Sequence, residues 1–250
     1  MLRIPGPMCG SILGDDWIDP GTMARSRMIS RVEQLDKSPA VAFAPQYLKP
    51  QERDLLTVLD DAGITDVTER AMFLAQVAHE SKDFRKLREN MNYSAARLLV
   101  VFPKRFKNLK DAEEVVKQGF DAIAERIYGG RKDLGNVEKG DGARYIGRGY
   151  IHLTGRSNYM NAGQALGLDL VHHPELAENP DTAARIAVWF WQRDPRLGSR
   201  ARARSVSGVT RIVNGGLNGL ADRKRRFKQY LEILDTDNSD ETAGSSSPLP

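Results

Sequence analysis

The sequence has one cysteine, Cys9, among its 250 residues. No intramolecular disulfide can form, so the fold does not depend on an oxidising compartment. No run of about 18 apolar residues is present, and we therefore expect no transmembrane helix and no membrane insertion. The first residues, Met1 to Pro7, lack the basic and then apolar regions of a secretory signal peptide. We expect a cytoplasmic protein of the producing cell, which leaves only if another component releases it.

Histidine is also scarce, with four residues in the chain. The pair His79-Glu80 is not the start of a zinc-binding motif, because the fourth residue after His79 is Asp83 rather than a second histidine. His172 and His173 are adjacent and precede a proline, and four histidines in the whole chain give little support for a metal site. The sequence therefore predicts no metal site and no cofactor.

The charge balance is slightly basic, with 37 Lys and Arg against 33 Asp and Glu, a net charge of +4 and a pI of about 9.2. Such a bias suits an anionic polymer: nucleic acid, lipopolysaccharide or a bacterial wall. No nucleic-acid motif and no interleaved aromatic residues accompany the arginines. We therefore expect an anionic wall polymer or lipopolysaccharide as partner and no nucleic acid. The arginines concerned are Arg193, Arg196, Arg200, Arg202 and Arg204, followed by the run from 223 to 226.

Three regions follow from the composition. Residues 1–44 show no sustained periodicity and are interpreted as a loosely ordered leader with one helix from Met28 to Leu35. Residues 45–235 carry the helical patterns of a single domain, and residues 236–250, rich in Ser, Asp, Thr and Pro, are expected to be disordered. The predicted architecture is mainly α, with one short strand from Tyr150 to Leu153. Helices are expected at 50–62, 66–80, 95–101, 111–117, 120–128, 157–166, 180–192, 206–213 and 220–234.

The segment ending at Glu80 shows the strongest helical pattern. Its apolar residues recur at helical spacing, and Asp66 followed by Glu69 has the spacing of a capping box. An acidic side chain at the end of an apolar helix tends to be desolvated, which raises its pKa. Glu80 is therefore a candidate general acid.

Glu89 follows in a polar turn, where neighbouring amides and a guanidinium could keep a second carboxylate ionised. Two carboxylates in different environments are typical of glycoside hydrolysis. A pair of glutamates is more often a pair of surface charges. The pair alone therefore does not decide the function.

The segment from Gly140 to Tyr159 combines glycines, aromatic residues and polar residues. Glycines allow a close approach of the backbone to a ligand, and a long loop with such a composition is usually functional. A phosphate-binding role for Gly147-Arg148-Gly149 is disfavoured, because no strand–glycine–helix frame and no Walker lysine surround it.

The motif order from Pro50 to Leu234 resembles glycoside hydrolase family 19, which comprises plant class I chitinases and a group of bacteriophage endolysins. This resemblance implies a lysozyme-like, two-lobed helical fold with a small strand and loop region lining a central cleft. It also implies inverting hydrolysis of a β-1,4 glycosidic bond. The motifs are His79-Glu80-Ser81, Arg88-Glu89-Asn90, Tyr145-Ile146-Gly147-Arg148-Gly149 with Leu153-Thr154-Gly155 and Asn158-Tyr159, Val188-Trp189-Phe190-Trp191, and Ile212-Val213-Asn214-Gly215-Gly216 with Ala221-Asp222-Arg223.

The resemblance also implies a role for individual residues. Glu80 would be the general acid and Glu89 the base, with Thr154 holding the attacking water. Inverting enzymes keep the two carboxyl groups roughly 6.5–9.5 Å apart to leave room for that water. Arg223 would hold Glu89 ionised. The further substrate-binding candidates are His79, Tyr145, Arg148, His152, Asn158 and Asn214, of which Tyr145 and Arg148 would line the floor of the cleft and the two asparagines would bind N-acetyl groups or ring hydroxyls.

Some features depart from the plant enzymes: His152 replaces the usual glutamine, Asn218 replaces a glutamate, and the plant disulfides are missing. These features resemble the endolysins, whose substrate is peptidoglycan and whose release needs a holin-type membrane-perforating partner. We expect a monomeric endolysin. A chitinase is the alternative, and a non-catalytic glycan-binding or nucleic-acid-binding protein is the rival from another class. Trp189, Phe190 and Trp191 are expected to belong to the core rather than to a sugar platform.

Overall fold

The computed structural model describes the backbone of residues 48–243 and the side chains of residues 48–235. The predicted leader 1–44, its helix from Met28 to Leu35 and Cys9 lie outside the described residues. The described part of the chain is mainly α, which confirms the predicted fold class, and it contains no strand, only two isolated β-bridges. None of its helices combines the length and apolarity needed to cross a bilayer.

The described helices are short, apart from the last, and follow one another closely along the chain. They are α1 (Pro50–Asp61), α2 (Val67–Glu80), α3 (Ala95–Val101), α4 (Leu109–Gln118), α5 (Phe120–Tyr128), α6 (Asp141–Arg144), α7 (Arg156–Leu166), α8 (Pro180–Gln192), α9 (Pro195–Arg202), α10 (Val206–Asn214) and α11 (Leu220–Ala243), with 3-10 turns at Lys132–Leu134 and Pro174–Glu178.

Local sequence signals explain where several of these helices begin. The Asp66 carboxylate accepts a hydrogen bond from the Glu69 backbone N–H at 2.8 Å and so caps α2, as predicted. The Ser94 hydroxyl caps α3 in the same way. Pro50 and Pro180 occupy the first positions of α1 and α8, where a missing N–H costs nothing.

Helix α9 was not predicted, because its arginines suggested a solvated loop. Asp194 caps it by accepting from the Arg196 backbone N–H, Pro195 opens it, and Leu197 and Ala201 are buried on one face. Helix α11 continues past the predicted end at Leu234 to Ala243. The backbone of residues 236–243 is helical, no helix-breaking residue occurs before Gly244, and residues 244–250 lie outside the described residues. The disorder expected for 236–250 stays a prediction.

The predicted strand from Tyr150 to Leu153 is also wrong. Residues 149–152 form a turn, because Gly149 and His152 adopt positive φ angles of 74° and 49° and reverse the chain. Arg148 and Leu153 then face each other as a single antiparallel bridge. The predicted loop region exists, but it is held by turns rather than by an extended strand.

Two hydrophobic cores divide the described residues. The larger core packs α2 against α1, α8, α9, α10 and α11. The smaller core is formed by α3, α4 and α5 together with Met91, Leu134 and Ile146. The segment between Ser81 and Met91 passes from the larger core to the smaller one, so residues on this segment lie where the two cores meet.

The aromatic segment of α8 belongs mainly to the larger core. Trp191 is buried, meets the Phe73 ring edge-on with centroids 5.4 Å apart, and donates its indole N–H to Glu69 at 2.9 Å. Trp189 and Phe190 are half-buried against the same core, and the Arg193 guanidinium lies 4.9 Å from the Trp189 ring centroid. The predicted core role is confirmed for Trp191.

Candidate active site

An open groove of about 740 Å³ runs along the segment that connects the two cores. Phe120 approaches it from the smaller core and Glu178 from the turn that precedes α8. Glu89 lines this groove, and Glu80 is not among the lining residues. The full lining consists of Arg85, Lys86, Leu87, Arg88, Glu89, Asn90, Asn92, Phe120 and Glu178.

Hydrogen bonds hold both the backbone and the carboxylate of Glu89. Its backbone N–H donates to the Gly147 carbonyl at 2.8 Å, and the Gly147 N–H donates to Oε2 at 3.3 Å. The Tyr128 hydroxyl donates to both carboxylate oxygens, at 2.8 and 2.9 Å. Burial raises the pKa of Glu89, and the hydrogen bonds from Tyr128 and Gly147 oppose this shift without cancelling it.

Gly147 lies close to both Glu89 and His152. A Cβ placed there would lie 3.0 Å from the Cβ of His152 and 3.1 Å from Oε2 of Glu89. These distances are tighter than nine in ten real Cβ contacts, so a side chain here would require Glu89 or His152 to shift by a few tenths of an ångström. The glycine therefore brings the carboxylate and the imidazole against one stretch of backbone.

Glu80, the last residue of α2, has a guanidinium as its partner. Arg223 from α11 bonds Oε1 of Glu80 through Nη2 and Oε1 of Gln76 through Nη1. Arg223 is 1% exposed, and its Nε donates to the backbone oxygen of Asn218 at 3.4 Å. The negative charge of Glu80 is therefore compensated by a buried positive charge.

This arrangement corrects one prediction. Arg223 was expected to keep Glu89 ionised, but it contacts Glu80, because α2 and α11 pack along each other and residues 76 and 80 are one turn apart on the same face. Glu89 has neutral donors and a pKa raised by burial, whereas the sequence predicted a raised pKa for Glu80 and an ionising guanidinium for Glu89. The guanidinium expected beside Glu89 lies beside Glu80, and the raised pKa expected for Glu80 belongs to Glu89.

His152 neighbours both carboxylates. Its positive φ of 49° is unusual for a residue with a side chain, and within the described residues its buried Nε2 has no hydrogen-bond partner. Burial lowers the pKa of His152, while the charge of Glu80 and a backbone hydrogen bond with Lys86 act in the opposite direction. A neutral imidazole with one uncommitted nitrogen is suited to a hydrogen bond with a ligand.

Thr154 and Asn158 are built around the same turn. The Thr154 hydroxyl donates to the His152 carbonyl at 2.8 Å, and Asn158 Nδ2 donates to the Thr154 carbonyl at 2.7 Å. Both residues are largely buried. Asn214, at the end of α10, has a buried Nδ2 with no partner among the described side chains and backbone.

Three other candidates have structural partners instead. Arg148 donates to Glu178 at 2.8 Å and to the Arg144 carbonyl at 2.7 Å, so it supports a groove residue from behind. Tyr145 is buried and its hydroxyl donates to the Val171 carbonyl at 3.1 Å. His79 Nδ1 lies 2.7 Å from Asp222 Oδ2, next to the Glu80–Arg223 pair. None of these three lines the groove, so the floor predicted from Tyr145 and Arg148 is not found there.

Sequence reasoning missed Tyr128, Gln76 and Glu178. Each acts through a partner distant in sequence: Glu89, Arg223 and Arg148 respectively. No local pattern marks such a residue, and only the position of Tyr128 immediately before Gly129-Gly130 hinted at a helix end near the site. The described residues contain no group of three or more His, Cys, Asp or Glu that could hold a metal ion.

Comparison with known proteins decides the family. A glycosyl hydrolase family 19 domain-containing protein of Haemophilus influenzae is 37% identical over 194 residues, which are 78% of this chain and 92% of that protein. The chain belongs to glycoside hydrolase family 19. The sequence model for chitinase class I matches residues 130–207 of this family 19 protein, which include Gly147, His152 and Thr154.

Other relatives of this family 19 enzyme are chitinases. Chitinase 8 of rice (Oryza sativa subsp. japonica) is 33% identical over 124 residues, 39% of this chain and 48% of the rice protein. Chitinase C of Streptomyces griseus superposes with a TM-score of 0.48 at 22% identity, covering 76% of this chain and 85% of that chain. The protein is a glycoside hydrolase, and its substrate is a polysaccharide.

Proposed function

We propose that this family 19 enzyme is an endolysin that cleaves β-1,4 glycosidic bonds of peptidoglycan with inversion. The observation that carries the proposal is the pair of carboxylates of the buried Glu80 and the half-buried Glu89. His152 lies against Gly147 beside Glu89 and also feels the charge of Glu80, and Glu89 lines a groove between two cores. Two carboxyl groups in unlike environments are what glycoside hydrolysis requires.

In the proposed reaction, Glu89 accepts a proton from a water molecule while the water oxygen attacks the anomeric carbon. Glu80 gives its proton to the leaving glycosidic oxygen, so that the bond breaks and the new C–O bond forms on the opposite face. Thr154 would help to hold the water, and His152 Nε2 would donate to or accept from the sugar. The next turnover requires Glu80 to regain a proton and Glu89 to lose one.

The Arg223 contact restricts this cycle. A guanidinium beside Glu80 favours the carboxylate form, whereas a general acid must carry a proton when the bond breaks. The proposal therefore requires the Arg223–Glu80 contact to weaken once a glycan occupies the groove and excludes water. The reverse assignment, with Glu89 as acid, is the outcome that the following experiment would detect.

The test compares Glu80→Gln with Glu89→Gln, using Glu113→Gln on the exposed surface of α4 as the matched control. Clearing of outer-membrane-permeabilised Gram-negative cells should be lost in both site variants and kept in the control, with unchanged circular dichroism.

On an aryl glycoside with a good leaving group, which needs no acid, Glu80→Gln should regain activity. Azide should restore turnover only in Glu89→Gln, giving the inverted glycosyl azide. The opposite pattern of rescue would reverse the roles, and clearing by Glu80→Gln would refute its assignment.

Chitin hydrolysis is the second candidate, because the plant relatives are chitinases. Mass spectrometry of digests separates the two functions. We expect muropeptides from purified peptidoglycan at a higher kcat/KM than short oligomers from chitin hexamer. The reverse order would favour the chitinase.

The proposal also includes the cellular setting. The enzyme would act as a monomer at the periplasmic wall, after a holin-type protein has opened the membrane from the cytoplasmic side. Coexpression with and without such a pore should give lysis only with the pore. Light scattering coupled to gel filtration should give a mass close to the 27.9 kDa of one chain.

A further inference from the structure

One wall of the groove carries more positive than negative charge. Arg85, Lys86 and Arg88 line it beside Glu89, and all three are exposed. We propose that Arg85 and Lys86 form a binding site for carboxylates on the substrate, namely those of the peptide stems attached to the glycan. This inference rests on the proposed function and names which glycan the groove selects.

The charges on this wall are not balanced by the protein itself. Arg88 is 3.9 Å from Glu178, and Arg148 donates to the same carboxylate at 2.8 Å, so Glu178 is already shared by two cations. Within the described residues Arg85 and Lys86 have no ion pair. The charge of Arg85 acts on Asp83 and lowers its pKa, but Asp83 is bonded by Arg226 and also approached by Lys49.

A turn of three left-handed residues precedes Arg85 and Lys86. Lys82, Asp83 and Phe84 have φ angles of 50°, 59° and 66°, three successive left-handed residues that are not glycine. Such a turn is strained and needs support from its surroundings. Ser81 supplies it, because its carbonyl accepts from the N–H groups of Arg85 and Lys86 at 3.1 and 2.9 Å. Its hydroxyl accepts from the Phe84 N–H at 2.9 Å.

The same turn follows Glu80 directly and leads to Glu89. The two cations therefore stand between the candidate acid and the candidate base along the chain, and they face the groove that contains the base. A cleft lined by one sign of charge concentrates ligands of the opposite sign. Arginine and lysine bind carboxylates through charge-assisted hydrogen bonds.

The two candidate substrates differ in this respect. Chitin is a neutral polymer of N-acetylglucosamine, whereas peptidoglycan carries a peptide stem with free carboxylates on every other sugar. A glycan bound across Glu89 would place its stems along the groove wall. Arg85 and Lys86 would then contribute to binding of stem-bearing glycan and contribute nothing to binding of chitin.

The test compares the wild type with the double variant Arg85→Gln/Lys86→Gln. The control is Lys110→Gln/Lys117→Gln, which removes the same charge from exposed positions on α4, outside the groove. The Lys86 substitution keeps the backbone carbonyl that bonds His152. Substrates are soluble stem-bearing peptidoglycan strands, the same strands freed of stems by an amidase, which keep one lactyl carboxylate on every second sugar, and chitin hexamer, which is uncharged.

We expect kcat/KM on stem-bearing strands to fall about threefold per cation and about tenfold for the pair, mainly through KM. Activity on chitin hexamer should change less than about twofold, and activity on stem-free strands should fall less than activity on stem-bearing strands. The loss should shrink as salt rises from 0.05 to 0.5 M, by screening. An equal loss on all three substrates, or no loss on stem-bearing strands, would overturn the inference while the hydrolase stands. A wild type inactive on both peptidoglycan preparations would refute the proposed function instead.

Discussion

Burial decides the protonation behaviour of Glu89. Its carboxylate accepts a hydrogen bond from the Tyr128 hydroxyl, shared between both oxygens, and one from the Gly147 N–H, yet its pKa still lies above the ordinary value because desolvation is the larger effect. In its proposed role as base, Glu89 must be deprotonated, so we expect activity to fall as the pH drops through this raised pKa. We also expect Tyr128, which donates to this carboxylate, to affect the acidic side of the pH profile.

Tyr128→Phe tests this role. Without the hydroxyl the carboxylate loses a stabilising donor, so the pKa of Glu89 should rise further and the acidic limb of kcat/KM should move up by roughly 0.5–1 pH unit. Tyr230→Phe is the matched control, since it removes a tyrosine–glutamate bond of 2.6 Å at Glu52, outside the groove lining. A limb that stays in place, or moves down, would contradict the tuning.

The ionised form of Glu89 also lowers the free energy of unfolding. Because its pKa is raised in the folded state, the native protein binds a proton more tightly than the unfolded chain, and stability is lost as pH rises from the unfolded pKa through the folded one. Glu89→Gln removes this penalty. We expect its free energy of unfolding to exceed that of the wild type by about 1 kcal/mol at pH 7. Below the unfolded pKa, at about pH 3.5, the two should agree in urea titrations; a gain at both pH values would point to packing instead.

At the scale of elements, ion pairs join α11 to α2. Neighbouring residues of α11, Asp222 and Arg223, pair with the neighbouring residues of α2, His79 and Glu80. Arg226, one turn further along α11, bonds Asp83 just beyond the end of α2. The pairing sets both the register of the two helices and the position of Glu80.

Arg223→Met should cost about 3–5 kcal/mol in unfolding free energy, because it leaves Glu80 as an uncompensated charge in the interior. Glu80→Gln in the same chain should recover part of this loss, which a double-mutant cycle measures as a coupling between the two positions. Arg225→Met is the control: its side chain is 57% exposed, so its salt bridge with Asp222 should contribute less than about 1 kcal/mol. Additive losses at positions 80 and 223 would show that the pair is not coupled.

The same scale shows what the sequence can predict. The bounds Phe120–Tyr128 and Pro180–Gln192 agree with the structure, because glycines flank the first and an asparagine–proline start marks the second. Helix α9 was missed, since its apolar face is only Leu197, Gly198 and Ala201 among many arginines. A strand was predicted where two positive φ angles make a turn, and periodicity cannot reveal a backbone reversal of that kind.

The site follows the same division. Glu80, Glu89 and Thr154 occur within recognisable motifs, so the sequence could nominate them. The partner of Arg223 could not be read in this way, because it depends on which face of α2 meets α11. Tyr128 and Gln76 likewise gain their importance from contacts with residues 39 and 147 positions away in the sequence.

At the scale of the molecule, Glu89 depends chiefly on the smaller core. Tyr128, whose hydroxyl donates to the Glu89 carboxylate, belongs to that core. Gly147, whose carbonyl accepts from the Glu89 N–H, directly follows Ile146, which also belongs to it. Glu80 and Arg223, by contrast, are fixed by α2 and α11 of the larger core. The proposed mechanism needs both carboxylates in place, so we expect that loosening either core reduces activity.

Leu98→Ala tests this dependence. Leu98 is fully buried in the smaller core, and the cavity should cost about 2–5 kcal/mol. Since the smaller core contributes fewer helices than the larger, activity in urea should disappear at a lower concentration than the far-ultraviolet circular dichroism of the whole chain. Leu55→Ala, equally buried in the larger core, should move both midpoints together, because α1 packs where most of the helical signal arises. Coincident midpoints in Leu98→Ala would mean that the two cores unfold as one unit, and Glu89 would then owe its position to the whole fold rather than to its nearer half.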